Sequence, residues 1–421
     1  MTSRTQRSQQ GMAQQGIAEL GIGDLRKSRK YASSDRLIGD RFVKDSLDDK
    51  PVRSDDKLAK EGDEREAAQY KNQHKNQDES LLAQLTSRVV GQAHAMEQIV
   101  PYVQMHQAGL APEGRPAGVF LLLGPTGTGK TRTVEALADV LHGTEKHLLR
   151  VDCGEFQMEH EVAKLIGAPP GYLGHRETPP MLTQSKLTGA ASERCDLSLV
   201  LFDEIEKAAP SMTRLLLGVL DKATLRMGDN TTVNFERTLI FMTSNIGTRE
   251  LRKEIGPDFG FEAMTPAPSA AALEKSGGKL DRIGAGAVRR KFPPEFVNRI
   301  DAVITYRPLG ADELVQILDQ QLAALERHID KRLGDRAFSI DVDESARKFL
   351  LAKGTSIEYG ARELKRTILR SLTQPLAALI ANDEIEPGAL VYVSGAHASG
   401  GRASGATAAE KLVLKVQEIE A

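Results

Sequence analysis

Apolar residues are spread unevenly along this chain. Over residues 1–78 they stand singly among Gln, Lys, Asp, Arg and Ser, closing in KNQHKNQDES. Such a segment cannot bury enough surface to offset its chain entropy, which predicts a disordered polar N-terminal tail. From Ser80 the spacing becomes helical: SLLAQLTSRVVGQAHAMEQIVPYVQMHQAGL reads as amphipathic helix broken around Val89-Val90-Gly91. Five apolar runs follow: GVFLLLGP (118–125), HLLRVDC (147–153), LSLVLFDE (197–204), TLIFMTSN (238–245) and AVITY (302–306). Runs apolar on both faces and separated by helical segments predict a parallel sheet covered on both sides, an α/β layer fold.

The pattern also marks what lies between and after these runs. GAPPGYLGH (167–175) combines freed glycines with two stiff prolines, so it predicts a loop that holds Tyr172 away from a core. Residues 262–287 are rich in Ala, Gly, Ser and Pro and read as a flexible insertion. Helical periodicity returns over 310–393, ending in the strand VYVS (391–394). A second Gly/Ala/Ser stretch (394–408) leads to KLVLKVQEI, the return arm of a hairpin with a long flexible tip. The organisation predicted is therefore a tail (1–78), a large α/β domain (79–309) and a mostly helical small domain (310–421).

Composition narrows the setting. The chain has 421 residues, enough for two or three domains with sizeable cores. A formal net charge of -2 argues against coating nucleic acid or an anionic membrane. The two cysteines, Cys153 and Cys195, show no CxxC spacing and fit a reducing compartment. No run reaches the length of a membrane span, and the N-terminus lacks a secretory apolar core, so a cytoplasmic location is expected.

Chemistry concentrates at the ends of the apolar runs. GPTGTGKT, formed by Gly124, Pro125, Thr126, Gly127, Thr128, Gly129, Lys130 and Thr131, fits G-x-x-x-x-G-K-[ST] between a strand and the helix TRTVEALADVL. Its glycines let backbone N–H groups wrap a phosphate at a helix N-terminus. Lys130 reaches the β- and γ-phosphates of a nucleotide, and the Thr131 hydroxyl takes one Mg²⁺ position. LSLVLFDE ends in Asp203, suited to the Mg²⁺ shell, and Glu204, suited to polarising an attacking water. TLIFMTSN ends in Asn245, which can orient that water or sense the γ-phosphate. Together they predict a hydrolytic ATP and Mg²⁺ site along the carboxyl edge of one sheet.

With these residues in view, the chain resembles the AAA+ superfamily. Residues 86–421 look like the second ATPase domain of ClpB-type disaggregases and their Clp unfoldase relatives. The matching stretches are RVVGQ (88–92), GPTGTGKT, VDCGEF (151–156), LIGAPPGYLG (165–174), VLFDEIEKA (200–208), FMTSNIG (241–247), FPPEFVNRID (292–301) and YGARELKR (359–366). The resemblance implies a P-loop NTPase with a parallel-sheet large domain and a helical small domain, assembled as a homo-hexameric ring. It makes Val89 and Val90 the flanks of adenine, Asn245 the first sensor, Arg299 the finger offered to a neighbour's γ-phosphate, and Arg362 the second sensor. It places Tyr172 in an axial channel, gripping polypeptide, with 227–232 as a second pore loop.

Four functions stay open on the sequence. The first is an ATP-dependent unfoldase or remodelling chaperone acting on unfolded or aggregated protein. The second is the regulatory ring of a ClpP-like peptidase, docked through Phe259-Gly260-Phe261. A nucleic-acid motor is disfavoured, because only His175 and Arg176 follow Tyr172 where such a motor would carry many cations. A non-threading nucleotide-dependent scaffold is the fourth.

Overall fold

Alternation within the apolar runs decides how the chain packs. The computed structural model describes residues 81–168, 179–255, 270–356, 359–396 and 411–417. In chain order its strands are β1 (Gly118–Leu123), β2 (Leu149–Asp152), β3 (Ser198–Asp203), β4 (Thr224–Arg226), β5 (Thr232–Asn234), β6 (Thr238–Ser244), β7 (Ala302–Thr305), β8 (Ser339–Val342), β9 (Leu390–Ala396) and β10 (Lys411–Gln417). The five runs read from the sequence form one sheet in the order β2-β3-β6-β1-β7, parallel throughout. Its central strands β1 and β6 are buried along their whole length.

Successive side chains point to opposite faces, so each strand feeds two cores. Val119, Leu121, Val200, Phe202, Ile240 and Met242 join one core with the helix Pro210–Lys222. That helix begins with Pro210 in its first turn, buries Met212, Leu216, Val219 and Leu220, and stops where Ala223 turns left-handed (φ 49°). Phe120, Leu122, Leu199, Leu201, Leu239 and Phe241 join the other core with the helices Ala93–Gln107 and Lys130–His142. Phe120 stacks on Phe241 with 5.1 Å between ring centroids and meets Tyr102 edge-on at 5.0 Å. Each such side chain contributes roughly 1.5–3 kcal/mol by leaving water.

The C-terminal region has its own core. Leu314, Leu318, Phe349, Leu350, Leu364, Leu372, Val391 and Val393 join the helices Ala311–Leu333, Glu344–Gly354 and Ala361–Ile368 to a three-stranded sheet, β10-β9-β8. β9 and β10 are the antiparallel hairpin expected from the sequence. β8, which joins parallel to β9, was not expected. Among the described residues, no helix is long and apolar enough to cross a membrane.

Two readings of the sequence are corrected. The part of 262–287 from residue 270 onward is no flexible insertion: Ala270–Lys291 is one helix, with Leu280, Ala287 and Val288 buried. Small residues there allow close approach rather than disorder, since a Cβ on Gly284 would lie 2.9 Å from Thr305 Oγ1 on β7. Residues 394–396, read as the start of a hairpin tip, are the end of β9. The tail 1–78, Tyr172, Phe259-Gly260-Phe261 and residues 397–408 lie outside the described residues.

The turn joining β4 to β5 holds the base of the segment that carries Tyr172. Gly228 donates its N–H to Ile166 O at 2.8 Å, and a Cβ on Gly228 would lie 2.9 Å from the carbonyl carbon of Gly167. Met181 N–H and Leu182 N–H close the same base on Lys164 O and Leu165 O at 3.1 and 3.0 Å. Gly228→Ala therefore forces backbone against backbone and should destabilise the protein by about 1–3 kcal/mol. Gly218, exposed in its helix, has room for a methyl group, with Thr224 O 3.5 Å from the Cβ position. Gly218→Ala should stabilise by about 0.5–1 kcal/mol. Thermal denaturation of both variants checks this pair; shifts of the same sign would contradict the packing.

Candidate nucleotide site

The P-loop's shape comes from glycines placed where side chains cannot go. Gly124, Gly127 and Gly129 have φ of 142°, 79° and 102°. A Cβ on Gly124 would lie 2.8 Å from Tyr306 O, and one on Gly127 would lie 3.0 Å from the carbonyl carbon of Tyr359. Tyr306 is fully buried and donates its hydroxyl to Thr133 Oγ1 at 2.7 Å, locking the following helix to β7's end. The helix Lys130–His142 starts from Gly129, with no side-chain cap and no acid in its first turn. Its N-terminal N–H groups and positive dipole end are thus left for an anion. The Thr128 hydroxyl is turned inward and donates to Pro125 O at 2.9 Å.

Lys130 lies in the floor of this loop, 8% exposed. Its ammonium donates to Gly124 O (2.7 Å), Pro125 O (2.8 Å) and Asn245 Oδ1 (3.0 Å). Burial lowers its pKa to about 8, against the opposing pull of Glu206 and Asp203.

The strand ends supply the acids. Thr243 on β6 bridges them: its hydroxyl donates to Asp203 Oδ1 and accepts the Glu204 N–H at 3.0 Å. Arg150, within β2, pairs with the other oxygen of Asp203. Glu204 sits in the left-handed region (φ 57°), a conformation costing roughly 1–2 kcal/mol in a non-glycine residue. Its carboxylate meets Lys207 Nζ at 2.5 Å, and that hydrogen bond raises the lysine's pKa.

A cavity of about 360 Å³ gathers these parts. Val89, Val90, residues 126–131, Asp203, Glu204, Asn245 and Arg362 all line it. Arg362 comes from the C-terminal core, whose approach is fixed by backbone: Ala361 N–H donates to Gly127 O at 3.1 Å. Gln92 ties the other side, accepting the Arg307 N–H (3.2 Å) and donating to Arg307 O (2.8 Å). The cavity does not include Arg299. That residue pairs with Asp221 at 3.4 Å and donates to Glu295 O at 2.5 Å. Sequence reasoning missed Thr243, Arg150 and Glu206. The only signal for Glu206 was a third acid in VLFDEIEK.

The residues fit a nucleotide on the glycine cradle, the uncapped helix and the buried ammonium. The Thr131 and Asp203 oxygens are the donors a hard Mg²⁺ requires. Lys130 gives the fit a pH signature. In the free protein its proton is lost near pH 8, whereas a polyphosphate favours the charged form, so binding above that pH takes up a proton. Affinity for a fluorescent ADP analogue should therefore fall between about pH 7 and about pH 9, by at most about tenfold per pH unit. A flat profile over that range would contradict the buried ammonium.

Comparison with known proteins agrees with this geometry. A family model described as AAA domain (Cdc48 subfamily) matches residues 115–303, and one described as the C-terminal, D2-small domain of ClpB protein matches 309–393. Chaperone protein ClpB of Meiothermus ruber is 39% identical over 313 residues, 74% of this chain and 34% of that protein. ClpB of Rhodopseudomonas palustris is 41% identical over 311 residues, 74% and 32% of the two chains. The chain thus spans about a third of the length of these curated relatives. A closed-state cryo-electron-microscopy reconstruction of Hsp104 with ATPγS and FITC-casein has a TM-score of 0.65 at 27% identity, covering 82% of this chain and 52% of that one. An extended S. cerevisiae Hsp104:casein complex has a TM-score of 0.62 at 28% identity, covering 75% and 50%. The two family models lie end to end over the sheet and the C-terminal core that share the cavity, and on that ground the chain belongs to the Clp-type AAA+ ATPases, where it corresponds to the ClpB-like second ATPase domain.

Proposed function

We propose that this chain is an ATP-driven protein unfoldase that hydrolyses ATP in a hexameric ring and draws unfolded or aggregated polypeptide through the axial channel. One observation carries the reading. The P-loop, the acidic end of β3, Asn245 and Arg362 line one cavity, while Arg299 lies outside it, partly exposed and paired with its own Asp221. An arginine absent from its own subunit's site is available to a neighbour's. Such a head-to-tail contact is heterologous, the kind that makes a ring where its rotation closes.

Within this reading Lys130 and the P-loop N–H groups hold the phosphates, and Val89 and Val90 flank the adenine. Glu204 polarises the attacking water and Asn245 orients it. Arg362 and a neighbour's Arg299 stabilise charge on the transferred group. Thr131 and Asp203 would hold Mg²⁺, which would supply positive charge to the phosphates. Tyr172 grips polypeptide: a large ring with few rotors makes contact without demanding a particular partner. Support for a polypeptide substrate comes from the Hsp104 complexes with casein. The relatives are chaperones, which favours unfolding over regulation of a peptidase. Two free thiols, Cys153 and Cys195, support a cytoplasmic setting.

Glu204→Gln should bind nucleotide and assemble while phosphate release nearly stops; turnover at the wild-type rate would remove Glu204 from the mechanism. Arg299→Ala should slow hydrolysis by about 10³-fold or more in the ring and leave nucleotide binding intact. Mixed with Lys130→Ala subunits, which still lend Arg299 to an intact neighbouring site, it should regain part of that activity. A mixture as inactive as its components would contradict a finger acting across the interface.

A further inference from the structure

Glu206 has no part in the roles assigned above, yet it reaches the centre of the site. It lies in the 3-10 turn Ile205–Lys207, directly after Glu204, whose left-handed backbone turns the chain sharply at the end of β3. That turn brings the Glu206 side chain to the end of the neighbouring strand β6. There the Asn245 N–H donates to Glu206 Oε1 at 3.1 Å. The Asn245 side chain in turn accepts from Lys130 Nζ at 3.0 Å. Two hydrogen bonds thus connect a carboxylate to the P-loop ammonium through one asparagine.

The second carboxylate oxygen sharpens the question. Glu206 Oε2 is shielded from solvent and has no hydrogen-bond partner among the described residues. Leaving such a group unsatisfied is unfavourable, more so when it is charged. Capping one strand-end N–H does not call for that expense, because a neutral amide oxygen accepts the same hydrogen bond. A negative charge at this place does something a neutral cap does not. Glu206, with Asp203 and Glu204, supplies counter-charge that favours the protonated Lys130. Lys130 spends its three donors on Gly124 O, Pro125 O and Asn245 Oδ1. Charge attraction requires none of those donors, so Glu206 holds the ammonium in the floor of the loop while its hydrogen bonds are exchanged.

We propose that Glu206 is a positioning residue for ATP hydrolysis, fixing Asn245 by its backbone and anchoring Lys130 chiefly through that asparagine and in smaller part by its charge. The proposal rests on the ATPase reading above. Glu206 touches no reacting atom, so its effect passes through Asn245 and Lys130.

The full chain tests this with Glu206→Ala, which removes hydrogen bond and charge, and Glu206→Gln, which keeps the accepting oxygen. Glu206→Ala should lower kcat for ATP by about 10-fold to 100-fold while Kd for a fluorescent ADP analogue changes by less than about threefold. Glu206→Gln should recover a substantial part of that loss but not all, the remainder being the share due to charge. In an Asn245→Ala background, Glu206→Ala should lower kcat by less than about threefold further, as expected of two residues acting as one unit. Full additivity, or a fall in affinity that parallels the fall in turnover, would overturn the proposal. So would a Glu206→Ala enzyme with wild-type kcat. Hydrogen exchange at the Asn245 amide gives a readout that needs no hydrolysis: it should speed up about tenfold or more in Glu206→Ala and stay near wild type in Glu206→Gln. Unchanged exchange in Glu206→Ala removes the anchor. If Glu206→Ala does not fold, kcat and exchange in Glu206→Gln decide, and a wild-type kcat there removes the role of charge. A wild-type protein that hydrolyses no ATP would defeat the functional reading, whereas exchange would still report whether Glu206 holds Asn245.

Discussion

A buried ammonium organises this molecule. Taking the Lys130 charge out of water is costly unless acceptors and counter-charges meet it, and here three oxygens within 3.0 Å do so. Two of those oxygens are P-loop carbonyls, which face inward only because Gly124 and Gly127 adopt backbone conformations that other residues rarely reach. The third belongs to Asn245 at the end of β6, so the sheet register that sets Leu123 opposite Ser244 also sets the asparagine opposite the lysine. Acids from β3 and the turn after it surround the same charge. The carboxyl edge of the sheet is therefore one electrostatic unit, with each strand end contributing a group that the next one needs.

Hydrogen bonds on two sides join the C-terminal region to this unit. Ala361 N–H meets Gly127 O, and Gly360 and Gly127 approach so closely that a Cβ on Gly360 would lie 2.8 Å from Gly127 O. On the other side, Gln92 and Gln320 bond the chain at Arg307 and Ser87. Ala361 thus touches the glycine loop directly, and Arg362, the next residue, lines the cavity beside it. A turn at Gly228, in the hairpin that follows the helix Pro210–Lys222, bonds back to Ile166, so the stretch of chain after the acidic end of β3 also meets the end of the helix Val162–Ile166.

Much of this was legible in the residues, for identifiable reasons. The central strands β3, β6 and β1 are long apolar runs, because a sheet covered on both faces requires them, and the P-loop stands out because a glycine cradle tolerates few substitutes. The short strands β4, β5 and β8 were not legible. Three or four residues of mixed polarity at a sheet margin carry no period. Residues 270–287 were misread because Ala and Gly reduce apolar contrast, although Gly284 serves close packing against β7. At the site, residues ending apolar runs were found, whereas Thr243 and Glu206 were not. Their roles depend on which strand lies beside which, a fact of topology that no single stretch of sequence states. The position of Arg299 outside the cavity is equally invisible until the sheet is assembled.

The most direct test of ATP-driven threading compares wild type with Tyr172→Ala on a fluorescent protein carrying a disordered tail, with ATP hydrolysis recorded in the same samples. The account predicts that wild type extinguishes the fluorescence only with ATP, and that Tyr172→Ala loses unfolding while retaining much of its basal hydrolysis. Unfolding by Tyr172→Ala at the wild-type rate would contradict it.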